Sequence, residues 1–144
     1  MSKFPACFPK NFETDILPKE AKFEYKSVYR VIKSGTINRE GFISTHEEIE
    51  RGLIPPKKRL SPQDPGRYST SCNIEYEDAE YMLNVFVRHH PRPVIAKGTT
   101  EITCGPCQLT SERDVNRKDS HVDWWVYEDA DPQEYFREVE KSAE

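Results

Sequence analysis

The sequence predicts an α+β domain: a small mixed or mainly antiparallel sheet with three to four helices packed on it. Three observations carry this. Ser27-Val28-Tyr29-Arg30-Val31-Ile32 and His121-Val122-Asp123-Trp124-Trp125-Val126-Tyr127 have the composition or the alternation of strands. Between them, Ala79, Met82, Leu83, Phe86 and Val87 recur at helical spacing on one face of residues 75–89. The helical segments are too unevenly spaced for a doubly wound sheet.

A chain of 144 residues is long enough to bury one core without disulfides or a metal as staples. Residues 1–25 carry Pro5, Pro9 and Pro18 with no sustained period, so they are expected to form an extended arm laid over a single domain of residues 26–144. The first strand covers 27–32 and ends at Ser34-Gly35. Residues 38–43 make a short helical turn. Ser44-Thr45 then cap a second helix, with Glu47 and Glu48 three residues beyond, and Gly52 ends it.

Residues 53–66 hold four prolines and the cluster Lys57-Lys58-Arg59, a long connection of the kind that is often functional. The chain then enters Gly66-Arg67-Tyr68-Ser69-Thr70-Ser71-Cys72, a short polar strand or strand edge. Pro91 and Pro93 stop the amphipathic helix. A Val-, Ile- and Thr-rich strand follows over 94–103, then a polar loop over 108–120. On the last strand, 121–127, Val122, Trp124 and Val126 share one face. A final helix opens with Asp131 as cap, Pro132 at its first position and Glu134 closing a capping box, and buries Tyr135, Phe136 and Val139.

Charge narrows the partners. A net charge of -4 from 21 basic and 25 acidic side chains creates no field that draws in a polyanion, which disfavours nucleic acid. The basic cluster at 57–59 has no aromatic stacking pair near it and reads as a solvated loop. MSKFPACFPKNF lacks the apolar run of a signal peptide and no stretch is long enough to span a bilayer, so the expected location is cytoplasmic, with no membrane partner. There Cys7, Cys72, Cys104 and Cys107 are expected to be thiols or metal ligands.

Cys104-Gly105-Pro106-Cys107 admits three readings. Dithiol exchange needs the first cysteine at a helix N-terminus, but no amphipathic segment follows this motif. Zinc is the second, with Cys104 and Cys107 joined by His121 after thirteen intervening residues; Cys72, Cys7, His89 and His90 compete for the fourth position and none forms a second close pair. The third is a turn that ends a strand, with the cysteines as small buried fillers. His89-His90 end a helix, where histidines commonly meet the last carbonyls.

No Walker loop, G-x-G-x-x-G, G-x-S-x-G or H-E-x-x-H occurs. Arg30 on the first strand and Ser69-Thr70-Ser71 on a later one, followed by a helix, resemble the ADP-ribosyltransferase pattern over roughly residues 27–128. The resemblance implies NAD as substrate, with Arg30 on its phosphates and Ser69, Thr70 and Ser71 shaping the nicotinamide pocket. It also implies a glutamate beside the ribose. A guanidinium is a fixed fork for phosphate oxygens, and a carboxylate stabilises the positive charge that develops on the sugar. Glu112 is the candidate carboxylate. The family's E-x-E or Q-x-E spacing is not met by Gln108 and Glu112, which lie four apart, and Glu101 and Glu128 compete for the role.

Two functions stay open. One is transfer of ADP-ribose to a target, or cleavage of the nicotinamide glycosidic bond. The other is a noncatalytic interaction or inhibitor module that recognises a protein through Trp124, Trp125, Tyr127 and the 53–66 connection, with a structural zinc at Cys104 and Cys107.

Overall fold

A computed structural model of the protein describes residues 3–57 and 60–139. Lys58 and Arg59 of the basic cluster lie outside the described residues. The architecture is α+β, with one antiparallel sheet built from β1 (Ser27–Ile32), β2 (Thr70–Asn73), β3 (Val94–Thr99), β4 (Cys107–Leu109), β5 (His121–Trp124) and β6 (Phe136–Glu138). Its strand order is β4-β5-β2-β1-β3-β6. Among the described residues two α-helices, α1 (Thr45–Glu50) and α2 (Tyr76–Phe86), several single 3-10 turns and one π-helical turn supply the helical part. No helix among the described residues is long and apolar enough to cross a membrane.

The period of two sorts each strand onto the faces of the sheet. One face carries Val28, Ile32, Cys72, Ala96, Cys107, Val122, Trp124 and Phe136, which pack with Phe42, Cys104 and Val126 into the main core. On the opposite face the apolar cover lies over β1 and β3. There Ala79, Met82, Leu83 and Phe86 of α2 pack on Val31, Ile95 and Tyr29, the stripe legible in the sequence. Val87, read as part of that stripe, follows the end of the helix and is half exposed.

Helix α1 starts as its sequence dictates. Ser44 accepts from the Glu47 amide while the Glu47 carboxylate accepts from the Ser44 amide, a complete capping box. The preceding Arg39–Phe42 segment is a 3-10 turn capped by Asn38.

Several boundaries differ from the expectations. The strand read over 94–103 ends at Thr99, and a 3-10 turn at Ile102–Cys104 follows. The polar stretch 108–120 is not wholly loop, because Cys107–Leu109 pairs with β5. The segment from Asp131 makes a single 3-10 turn, Pro132–Tyr135, and then becomes β6. Asp131 caps no helical amide, and Phe136 is buried while Arg137 and Glu138 are exposed. Pairing with β3 satisfies an edge whose backbone groups would otherwise lack partners. β2, read as a short polar strand or strand edge, is a short strand, and it lies in the interior of the sheet between β5 and β1.

The N-terminal segment is not an extended strap throughout. It contains a π-helical turn at Phe12–Ile16, and Phe4, Phe8, Phe12 and Ile16 form a second apolar cluster with Tyr68 and Trp125. The rings of Phe8 and Phe12 both meet Tyr68 edge-on, with centroids 5.0 and 5.2 Å away. The segment therefore supplies a core of its own against one end of the sheet.

Candidate functional site

Helix α2 leaves the β2–β5 half of its face of the sheet uncovered, and polar residues line it. Ser71 pairs with Asp123 and Asn73 with His121 in the β2–β5 register, so all four point to the same side. They floor a cleft of about 510 Å³, within the range of small-molecule sites. Thr45 and Glu48 of α1, Leu60 and Asp64 of the connection before β2 and residues of the 110–119 loop form its walls, while Met82 and Phe86 of α2 close one side.

The cleft opens because the sheet is split. β1 and β2 pair only at Tyr29 and Asn73. Beyond that point Arg30 fills the gap: its Nη1 donates to the Ser71 carbonyl at 2.9 Å and its Nε to the Gly41 carbonyl at 3.1 Å. These bonds use two of its five N–H groups; burial lowers its pKa, and the Glu48 carboxylate of the cleft wall acts on it electrostatically in the opposite direction.

Asp123, 1 % exposed, is the hub of the floor. Ser69 Oγ donates to its Oδ1, and Thr110 Oγ1 to its Oδ2 at 2.8 Å. Arg113 Nη2 pairs with Oδ2 at 2.7 Å. The same guanidinium donates from Nη1 to Gln108 Oε1 and lies 5.7 Å from the Trp125 ring centre. Gln108 Nε2 is then a buried donor without a partner among the described residues. Thr110 also lies 2.6 Å from His121 Nδ1.

Burial holds His121 below the ordinary histidine value; Asp123 and Asp119 pull it up, and Arg117 and Arg113 push it further down. The unfolded chain therefore takes up a proton near pH 6.5 that the folded chain refuses. Stability from this group is fully present above about pH 6.5 and falls as pH drops toward the folded value. Asp119 acts lower: burial opposes its ionisation, but bonds from Arg117 hold it below its ordinary value, outside this window. The expected result is a urea midpoint that declines between pH 7 and 5 in the wild type and declines less in His121→Gln. Equal slopes would contradict the assignment.

No protein-family model, curated protein or solved structure matches the chain.

Of the residues singled out from sequence, Arg30, Ser69, Ser71 and His121 line the cleft together. Thr70 does not: it points to the other face, where its hydroxyl donates to the Phe42 carbonyl at 2.6 Å. Glu112 sits exposed on the 3-10 turn after β4 and is outside the cleft lining. Glu128 accepts from the Ala6 amide, and Glu101 precedes the turn that holds Cys104. Neither reaches the cleft lining.

Sequence reading missed Asp123, Thr110 and Arg113. A usable signal was present, since His121-Val122-Asp123 is a pair two apart on an alternating strand, the spacing that Gln108 and Glu112 lack.

The cysteine pair does not converge with His121. Cys107 is opposite Trp124 on the core face, whereas His121 lies three residues along β5 on the cleft face. Among the described residues no group of three or more His, Cys, Asp or Glu side chains is placed to hold a metal ion. Burial raises the thiols of Cys104 and Cys107, the opposite of what a reactive thiolate needs, and pushes Cys72 up to about 12. Trp124 and Trp125 are both fully buried, so neither offers the contact surface that the interaction reading requires.

Proposed function

We propose that the cleft binds NAD and breaks the bond between nicotinamide and ribose, passing ADP-ribose to water or to an acceptor. One observation carries this reading: Arg30, Ser69 and Ser71 line the same cleft as His121 and the buried Asp123, and Ser69 bonds Asp123 directly. Arg30 supplies a cation with spare N–H groups for phosphate oxygens. Asp123 takes the carboxylate role that the resemblance implies and for which Glu112 was the candidate. Its carboxylate, fixed by Ser69 and Thr110, stabilises the positive charge that builds on the ribose as the glycosidic bond lengthens. Because these partners are in place beforehand, little reorganisation is needed as that charge develops.

Incubation of the wild-type protein with NAD, followed chromatographically, is expected to release nicotinamide, with Glu112→Gln releasing it at the wild-type rate. No release by the wild type, or loss of release in Glu112→Gln, would overturn the proposal.

A further inference from the structure

Thr110 Oγ1 stands between two groups, 2.8 Å from Asp123 Oδ2 and 2.6 Å from His121 Nδ1. A hydroxyl has one proton to give. Asp123, ion-paired with Arg113 at 2.7 Å, is acceptor only and takes it. The Thr110 oxygen then offers His121 a lone pair, so Nδ1 carries the imidazole hydrogen and Nε2 keeps its lone pair. The ring lines the cleft with its Nδ1 edge turned into this network, which leaves the Nε2 edge for a bound molecule.

We infer that Nε2 of His121 is the general base of the cleft, and that Thr110 is the positioning residue that fixes its tautomer. The role in turnover rests on the NAD reading; the tautomer does not. The bond from ribose C1″ to the nicotinamide nitrogen breaks, and its electron pair leaves with that nitrogen, which loses its positive charge. The oxygen of water or of an acceptor hydroxyl forms the new bond to C1″, and its proton passes to Nε2. The imidazolium formed this way is supported through Thr110 by Asp123, and it returns its proton to solvent. The charged groups around the ring are Asp123 on β5, Asp119 and Arg117 on the loop before it, and Arg113 on the turn after β4.

His46 provides an internal contrast. Its Nδ1 accepts from Arg67 Nε at 2.9 Å and its Nε2 donates to the Cys7 carbonyl at 2.9 Å, so it holds the opposite tautomer. Long-range ¹⁵N–¹H correlation spectra of the 144-residue protein above pH 7, with His121 assigned by loss of its signals in His121→Gln, are expected to show Nδ1–H at His121 and Nε2–H at His46. An Nε2–H signature at His121 would overturn the relay whatever the protein does with NAD.

In the same protein, nicotinamide release from NAD in water is expected to fall as pH drops through the His121 titration. Thr110→Ser should keep the rate, and Thr110→Val should lower it about 10–100-fold, the scale on which metal-ligating imidazoles lose function when their orienting partner is removed. A Thr110→Val protein that keeps both its rate and the wild-type pH profile would overturn the positioning role. A wild type that releases no nicotinamide would remove the reaction and with it the role as base, leaving the spectra to judge the tautomer alone.

Discussion

Asp123→Asn is expected to lower nicotinamide release about 10²–10³-fold, the scale of losing one fixed electrostatic contact to a developing charge. The amide keeps the shape and most of the packing, so the loss reports on charge. It also leaves Arg113 without its partner at 2.7 Å and gives Ser69 and Thr110 a mismatched neighbour. Removing one member of a buried pair costs about 3–5 kcal/mol; Arg113 is partly exposed and can turn to solvent, so the expected loss is about 2–3 kcal/mol by urea unfolding. Turnover should be assayed well below the denaturation midpoint, which keeps the two effects apart. A variant that releases nicotinamide at the wild-type rate would return the search for the carboxylate to Glu48, the cleft's only glutamate among the described lining residues.

Gly105→Ala is expected to destabilise the fold by about 3 kcal/mol or more, because it combines a forbidden backbone angle with a backbone clash. Gly105 has φ of 137°, and a Cβ there would lie 2.0 Å from the Trp125 carbonyl oxygen. The neighbouring bonds leave no room for the turn to move away. Trp124 Nε1 donates to the Gly105 carbonyl at 3.1 Å, the Trp125 amide to Pro106 at 2.9 Å and the Tyr127 amide to Cys104 at 2.7 Å. The Cys104–Cys107 turn is thus a clamp on the segment that continues β5, and both tryptophans depend on it. A lowered urea midpoint with loss of near-ultraviolet tryptophan dichroism would bear this out. An unchanged midpoint would show that the turn is dispensable.

Local chemistry made much of the fold legible. The composition of Ser27–Ile32, the stripe on α2 and the Ser44–Glu47 capping box each depend on neighbours close in sequence, and each appears where the pattern puts it. Elements set by distant partners were less visible. Residues 136–138 carry a helix-start signature upstream, yet they pair with β3 because that edge needs hydrogen bonds. Phe4, Phe8 and Phe12 look like punctuation between prolines until Tyr68 and Trp125 provide the surface they cover.

The site follows the same rule. Arg30, Ser69 and Ser71 were readable as types on strands. Asp123 was hidden because its place on the cleft floor arises from cross-strand register with Ser71 and from side chains contributed by the connection and the loop. Glu112 lost its place for a simple geometric reason: the turn that begins at Thr110 directs Thr110 and Arg113 toward Asp123, while Glu112 stays exposed.

Calorimetric titration of NAD into the 144-residue protein asks whether this cleft is the NAD site. Ser71 is exposed on the cleft floor, so Ser71→Phe occupies the cavity without disturbing the core. Saturable one-to-one binding by the wild type, lost in Ser71→Phe while its unfolding midpoint stays unchanged, is the expected result. Absence of binding by the wild type, or binding that survives in Ser71→Phe, would contradict it.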